Sequence, residues 1–292
     1  MSRALDFGRR RCLQKGVMFV LAPLFVPAGV QAESLTVLRF GVHPFRAPEP
    51  LFSLHRGMVA FLGESLGMPV RFYTRAGFDE FALALRDEAF EIAITAPHVA
   101  AWLAADHGWE AVATYDIRLA PVLATLTRPL PTPLSAEALR GRRIAVADLN
   151  TIISQVGLNA LRQLGSAPTR DIELVVTPTH GAALQALLNG SVDYALVANT
   201  VFGQFQKEHP ALRAVPFGPS VPHLVVMARS NLPEALRERF RQSLLRFHDS
   251  PAGASYFTET GYVRFVPVRA EDMALMAGFV DTLRLRYDRG GP

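Results

Sequence analysis

Phe81-Ala-Leu-Ala-Leu-Arg-Asp-Glu-Ala-Phe-Glu-Ile-Ala-Ile94 reads as a short amphipathic helix, a tight turn, an acidic residue and a buried strand. Apolar residues at helical spacing give way to a brief run of Ile and Ala, too short for a second helix. The same order returns later as Ala183-Leu-Gln-Ala-Leu-Leu-Asn-Gly-Ser-Val-Asp-Tyr-Ala-Leu196. Two helix–turn–strand units of one design predict two similar α/β lobes.

Outward from these units the chain keeps alternating. Leu35–Val42 reads as a first strand, followed by a turn-rich stretch from His43 to Pro50. Leu51–Leu66 places Leu51, Leu54, Met58, Phe61 and Leu62 at helical spacing, and Gly67 stands as the helix stop. Pro69–Tyr73 is a second strand, Phe78–Arg86 a helix and Glu91–Ile94 a strand. The second half repeats this with strands at Ile144–Ala147, Glu173–Val176 and Tyr194–Val197, and helices at Ile152–Leu164 and Gly181–Leu188. Alternation of this kind predicts parallel sheets covered on both faces.

Two segments suit crossings between the lobes. Thr125–Leu134 carries Pro129, Pro131 and Pro133, which stiffen the chain and discourage a helix. Pro216–Pro222 precedes the apolar strand Leu224–Ala228, and an arginine-rich amphipathic helix follows at Leu236–Phe247. The expected layout is a first lobe of residues 33–127 plus 223–292 and a second of 128–222. Two crossings act as hinges around a ligand cleft.

Residues 1–32 read as an export signal. Arg3, Arg9, Arg10, Arg11 and Lys15 precede the apolar run Val17–Val30, and Val30-Gln-Ala32 resembles a cleavage site. The run holds two prolines and is short for a membrane span. An uncleaved anchor and a twin-arginine route are the alternatives. This segment holds five of the 30 Lys and Arg and one of the 26 Asp and Glu, leaving 25 of each. The rest of the chain is neutral, so its composition gives no support for a nucleic-acid partner. The single cysteine, Cys12, lies in the signal, which excludes thiol chemistry from the remainder.

Enzyme signatures are missing: there is no G-x-S-x-G, P-loop, G-x-G-x-x-G or H-E-x-x-H. The eight histidines make no close metal-spaced pair, and no cofactor or metal is expected. Binding is the better expectation. Val146–Leu161 runs from a strand through Asp148-Leu-Asn-Thr151 into a helix capped by Asn150 or Thr151. The free N–H groups and dipole of such a helix suit an anion. Strand ends of open parallel sheets are also where ligands bind. His180 opens the next helix and is a candidate donor. Thr95 and His98 follow a strand of the first lobe toward the same cleft, with Phe45 and Phe78 as candidate walls.

Four ordered stretches resemble the phosphonate/phosphate/phosphite-binding proteins of ABC importers. They are Arg39–Pro48, Phe90–Pro97, Leu134–Ala145 and Thr179–Asp193. The third is similar to the family's "s-L-x-d-L-k-G-k-x-v-A" segment and the fourth to "S-H-x-x-x-x-x-A-L-x-x-G-x-V-D". The resemblance implies an α/β fold of two Rossmann-like lobes joined by two hinge crossings, the type 2 periplasmic binding protein architecture. It implies a periplasmic, non-enzymatic monomer that captures a small oxyanion and presents it to an ABC permease of the inner membrane. Some relatives instead report an oxyanion to a membrane histidine kinase. The family's anion loop reads "D-P-x-S-T-S-G"; here it is Asp148-Leu-Asn-Thr-Ile-Ile-Ser154. Asp148 is kept and Thr151 keeps a hydroxyl, while Ile152 and Ile153 stand where hydroxyls are expected. His180 matches the family histidine. The acidic residues that hold an amino group have no counterpart in Val197-Ala-Asn-Thr200, which argues against an aminoalkylphosphonate.

Overall fold

The computed structural model describes residues 36–126, 134–168 and 170–288. The expected signal and residues 127–133 of the proline-rich segment lie outside them. The chain runs β1 (Leu38–Val42), α1 (Pro48–Leu66), β2 (Val70–Tyr73), α2 (Phe78–Arg86), β3 (Ile92–Thr95), α3 (Pro97–Asp106) and β4 (Trp109–Tyr115). It crosses through β5 (Arg118–Leu119) and builds β6 (Pro121–Thr125), α4 (Ala136–Leu139), β7 (Arg143–Val146), α5 (Ile152–Gln163) and β8 (Glu173–Val176). α6 (His180–Leu188), β9 (Tyr194–Ala198), α7 (Asn199–Glu208) and β10 (Arg213–Pro216) complete the second half. The return comes through β11 (Val221–Pro222) to β12 (Val225–Arg229), α8 (Glu234–Arg246), α9 (Pro251–Thr260), β13 (Phe265–Val266), α10 (Ala270–Met276) and α11 (Val280–Leu283).

A six-stranded sheet has the order β13-β4-β12-β3-β1-β2, and a five-stranded sheet the order β10-β6-β9-β7-β8. The neighbouring strands β2-β1-β3 and β8-β7-β9, at one edge of each sheet, are parallel, as the alternation predicts. The sheets as wholes are mixed. β12 runs antiparallel to β3, and β6 antiparallel to β9. Both strands follow a crossing, so they enter their sheet from the cleft end, against the direction of the strands they join. The lobe boundary expected at residue 127 also needs correction. β6 already belongs to the second sheet, so the chain leaves the first sheet before Pro121. Its five residues are all buried.

Period-two alternation sorts the side chains by face. Leu38, Phe40 and Val42 of β1 meet Leu51, Leu54, Met58 and Leu62 of α1, with Phe240 and Phe247 beyond. The opposite face holds Ala93, Phe81, Leu85 and Trp102. In the second sheet Ile144 and Val146 pack on Leu158 and Leu161 of α5, while Ala145 and Val197 lie in the core of Leu184 and Leu187. Each fully buried Leu, Ile or Phe contributes about 1.5–3 kcal/mol.

The hinge is a two-stranded ladder in which Leu119 pairs Val221 and Arg118 pairs Pro222. Asn199 clamps it from α7: its Oδ1 accepts from Ala120 N at 3.0 Å and its Nδ2 donates to Arg118 O at 3.2 Å. Arg118 donates in turn to buried Asp272 of α10 at 2.6 Å. No helix among the described residues is long and apolar enough to cross a membrane.

Candidate functional site

The loop from β7 to α5 is organised by its own short polar side chains. Asp148 Oδ1 accepts from Asn150 N at 2.8 Å, which turns the chain out of the strand. Thr151 is the N-cap: its Oγ1 accepts from Ser154 N at 3.3 Å. The same hydroxyl donates to Ser154 Oγ at 2.9 Å, and Ser154 Oγ donates to Ala147 O at 3.1 Å. Both hydroxyls are therefore committed inside the cap, and Ser154 is fully buried. The N–H groups of Ile152 and Ile153 have no protein acceptor among the described residues. Their side chains are buried in the same apolar cluster as Phe81, Ala96 and Val99 of the first-sheet side.

His98 reaches this loop from α3. Its Nε2 lies 3.1 Å from Asn150 O. A carbonyl only accepts, so Nε2 carries the proton and donates. His98 is fully buried, and burial pushes its imidazole down to about 3, against a small opposing effect of the Asn150 bond. The ring is neutral, and Nδ1 is a bare acceptor with no partner. Thr95, 1% exposed at the end of β3, also has an unpartnered Oγ1.

Phe78 stacks on His98 with centroids 5.7 Å apart and planes at 20°. Phe279 meets the same imidazole edge-on at 6.3 Å. His43 stands edge-on to Phe78 at 5.2 Å and to Phe81 at 5.9 Å, and burial pushes it down to about 4. His43 adds a small push on His98 in the same direction as burial.

The structure thus brings together Asn150, Thr151, Ile152, Ile153, Ser154, His98 and Phe78, with Thr95 at the end of β3 just before α3. Two expected members make no hydrogen bond or ring contact with this group. His180 opens α6 behind the Thr179 cap, with Nδ1 unpartnered and its imidazole pushed to about 4 by burial. No hydrogen bond or ring contact joins it to α5 or His98. Phe45 is 37% exposed and meets His55 of α1 edge-on at 6.2 Å, on the α1 side of the sheet. Sequence reasoning missed His43 and Phe279. His43 follows directly on β1 and could have been found as a strand-end residue; Phe279 gives no local signal.

One cluster of potential metal ligands occurs among the described residues, Asp106, His107 and Asp288. Arg284 already holds Asp106 through two bonds at 2.7 Å, and Trp102 Nε1 donates to Asp288 at 2.9 Å. A guanidinium supplies the positive charge there.

The fold is shared with solved binding proteins. A binding protein component of an ABC phosphonate transporter from Pseudomonas aeruginosa superposes with a TM-score of 0.68 at 14% identity, covering 86% of this chain and 87% of that one. PhnD1 of Prochlorococcus marinus, solved with methylphosphonate, gives a TM-score of 0.72 at 12% identity over 85% of this chain and 98% of its own. A Xanthomonas citri protein solved with ATP gives 0.68 at 14% identity over 85% and 98%. No curated protein sequence matches significantly. The family model described as the periplasmic substrate-binding protein of phosphonate ABC transporters matches residues 40–273. Spanning most of both sheets, that match establishes that the chain belongs to the periplasmic phosphonate-binding family of ABC transporter substrate-binding proteins.

Proposed function

We propose that the protein captures a small phosphorus oxyanion, of the phosphate, phosphite or phosphonate class, between its two sheets. Family membership supplies the coarser role: a small-molecule binder that serves an ABC permease at the periplasmic face. The observation that carries the finer reading is the open first turn of α5. Two N–H donors lie there beside His98 and Thr95 of the opposite lobe, each with an unpartnered polar atom. Lobes built on the six-stranded and five-stranded sheets close about the β5–β11 ladder and bring these groups onto one ligand. The methylphosphonate in the Prochlorococcus protein supports the ligand class. Closure as a monomer then forms the surface that the permease reads.

A thermal-shift series with phosphate, phosphite, methylphosphonate, sulfate and arsenate tests this. A ligand at about 100 times its Kd adds about 2.7 kcal/mol, which for a chain of this size raises Tm by about 5–10 °C. The expected result is such a rise with at least one phosphorus oxyanion, reduced in Thr151→Ala. No rise with any of them overturns the reading.

A further inference from the structure

The polar atoms left open at this site are not all donors. Ile152 N–H and Ile153 N–H seek an acceptor, but His98 Nδ1 seeks a donor, because the bond from Nε2 to Asn150 O fixes the other tautomer. An acceptor that is fully buried and unpartnered destabilises the fold until something donates to it. A fully ionised oxyanion offers only acceptors. It would set its lone pairs against that of Nδ1, with the Asp148 carboxylate in the same loop.

We propose that the site selects oxyacids that retain a proton: the ligand donates an O–H to His98 Nδ1 while its other oxygens accept from Ile152 N and Ile153 N. This rests on the oxyanion reading above and sharpens it to the protonated monoanion. Three features of the chain agree with a single charge rather than two. The hydroxyls of Thr151 and Ser154 are turned inward to the cap. Ile152 and Ile153 present carbon where the family presents hydroxyls. Phe78, Phe279 and neutral His43 surround the imidazole. The titratable groups on the elements packed against α3 are Asp79, Glu80 and Arg86 on α2, Glu110 and Tyr115 on β4, Arg229 on β12, Glu271 and Asp272 on α10 and Asp281 on α11, with His43 after β1. Asp79, Asp272 and Asp281 are held by Arg286, Arg118 with Arg269, and Arg284; Glu110 pairs with Arg237, Glu271 with Arg269, Arg229 with Glu88 and Arg86 with Asp87, while Glu80 is exposed. They leave His98 to its apolar surroundings, and its bare nitrogen persists throughout the neutral range.

The test compares methylphosphonate with two probes of fixed single charge and no donor, methanesulfonate and the monomethyl ester of methylphosphonate. Affinities are measured by calorimetry between about pH 6 and about pH 9. At the acid end methylphosphonate is expected to bind at least about tenfold more tightly than either probe. Above its second ionisation its affinity falls by about tenfold per pH unit, while the probes stay level. His98→Gln keeps an N–H for Asn150 O but deletes Nδ1. It is expected to bind methylphosphonate and methanesulfonate alike, with Tm checked to confirm folding. Methanesulfonate binding as tightly as methylphosphonate, or methylphosphonate affinity rising with pH, overturns the proposal and leaves the oxyanion reading standing. Binding of none of the three at any pH overturns both. A His98→Gln protein that keeps the preference also overturns the assignment to Nδ1, and if that variant fails to fold the ligand series decides alone.

Discussion

The helix–turn–strand units ending in β3 and β9 are the same machine in two sheets. Each turn closes with the same pair of bonds: Ala89 N to Ala84 O and Asp87 N to Leu83 O in one, Ser191 N to Ala186 O and Asn189 N to Gln185 O in the other. Each puts one residue in the left-handed region, Glu88 at φ 59° and Gly190 at φ 76°. Each then uses the acidic residue as a latch. Glu91 accepts from Arg39 N at 2.6 Å, and Asp193 accepts from Arg143 N at 2.8 Å. The units part only after the strand. Beyond β9, Asn199 uses both Oδ1 and Nδ2 on the hinge backbone. Beyond β3, Thr95 and His98 each leave one buried polar atom open. Equal frames with unequal endings separate what the fold requires from what a ligand requires. Polar atoms are closed where the chain must hold a hinge and left open where something else is to close them.

Acid should break the symmetry most strongly. Burial pushes His43 and His55 to about 4 and His98 to about 3, all on the first-sheet side, with His223 at about 3 where the chain returns. Among the described residues of the second half, His180 alone shows such a shift, to about 4. The sign follows from linkage. The folded pKa of a base lies below its unfolded value of about 6.5, so the unfolded chain takes protons first. The stability is full above about pH 6.5 and falls toward the folded pKa by up to about 1.4 kcal/mol per unit for each histidine. Hydrogen exchange followed from pH 7 to pH 4 should show β1 and β3 losing protection before β7 and β9. Simultaneous loss would mean that the two sheets unfold as one unit.

How far this asymmetry was legible in the sequence depends on the range of the interaction. Strands β1 and β7 and helices α1 and α5 write their faces in local periodicity. The strand ends at Thr95, His98 and Asn150 follow from where parallel strands stop. β6 was unreadable because the prolines after it suggest a crossing, while its burial comes from pairing with β9 and β10, far along the chain. α3 offered a signal, Pro97 at its first position, but the sequence reading assigned no helix there. Phe45 packs toward His55 of α1, a direction the sequence could not give because alternation ends with the strand and no longer sets where a side chain points. The open lone pair on His98 depends on a carbonyl 52 positions away, which no local pattern encodes.

The latches should differ in strength, though their geometry matches. Glu91 is 9% exposed and is gripped by both the backbone and the guanidinium of Arg39. Asp193 has a side chain 35% exposed, and its arginine stands off at 4.0 Å. Glu91→Ala is expected to cost about 3 kcal/mol, as for a buried charged bond removed on one side. Asp193→Ala should cost about 1 kcal/mol, since solvent takes over much of the work. Urea denaturation of both variants measures the ratio. Equal losses would show that the backbone bond alone matters and the arginine adds nothing.

The smallest expected difference concerns packing beneath the latches. Gly41 in β1 holds the place that Ala145 holds in β7, and the larger Phe90 precedes Glu91 where Val192 precedes Asp193. A Cβ on Gly41 would lie 2.5 Å from the Phe90 ring, which Arg75 covers from outside at 5.0 Å. The ring is 1% exposed and cannot swing away, so Gly41→Ala should cost about 2 kcal/mol by overpacking. Phe90→Val alone opens a cavity and also destabilises. Together they rebuild the second sheet's solution in the first, so the double variant should be more stable than the sum predicts by about 1 kcal/mol or more. Strict additivity in that cycle would mean that the ring already yields to a methyl group. The pairing of glycine with phenylalanine would then be incidental, and the likeness of the two units would stop at the backbone.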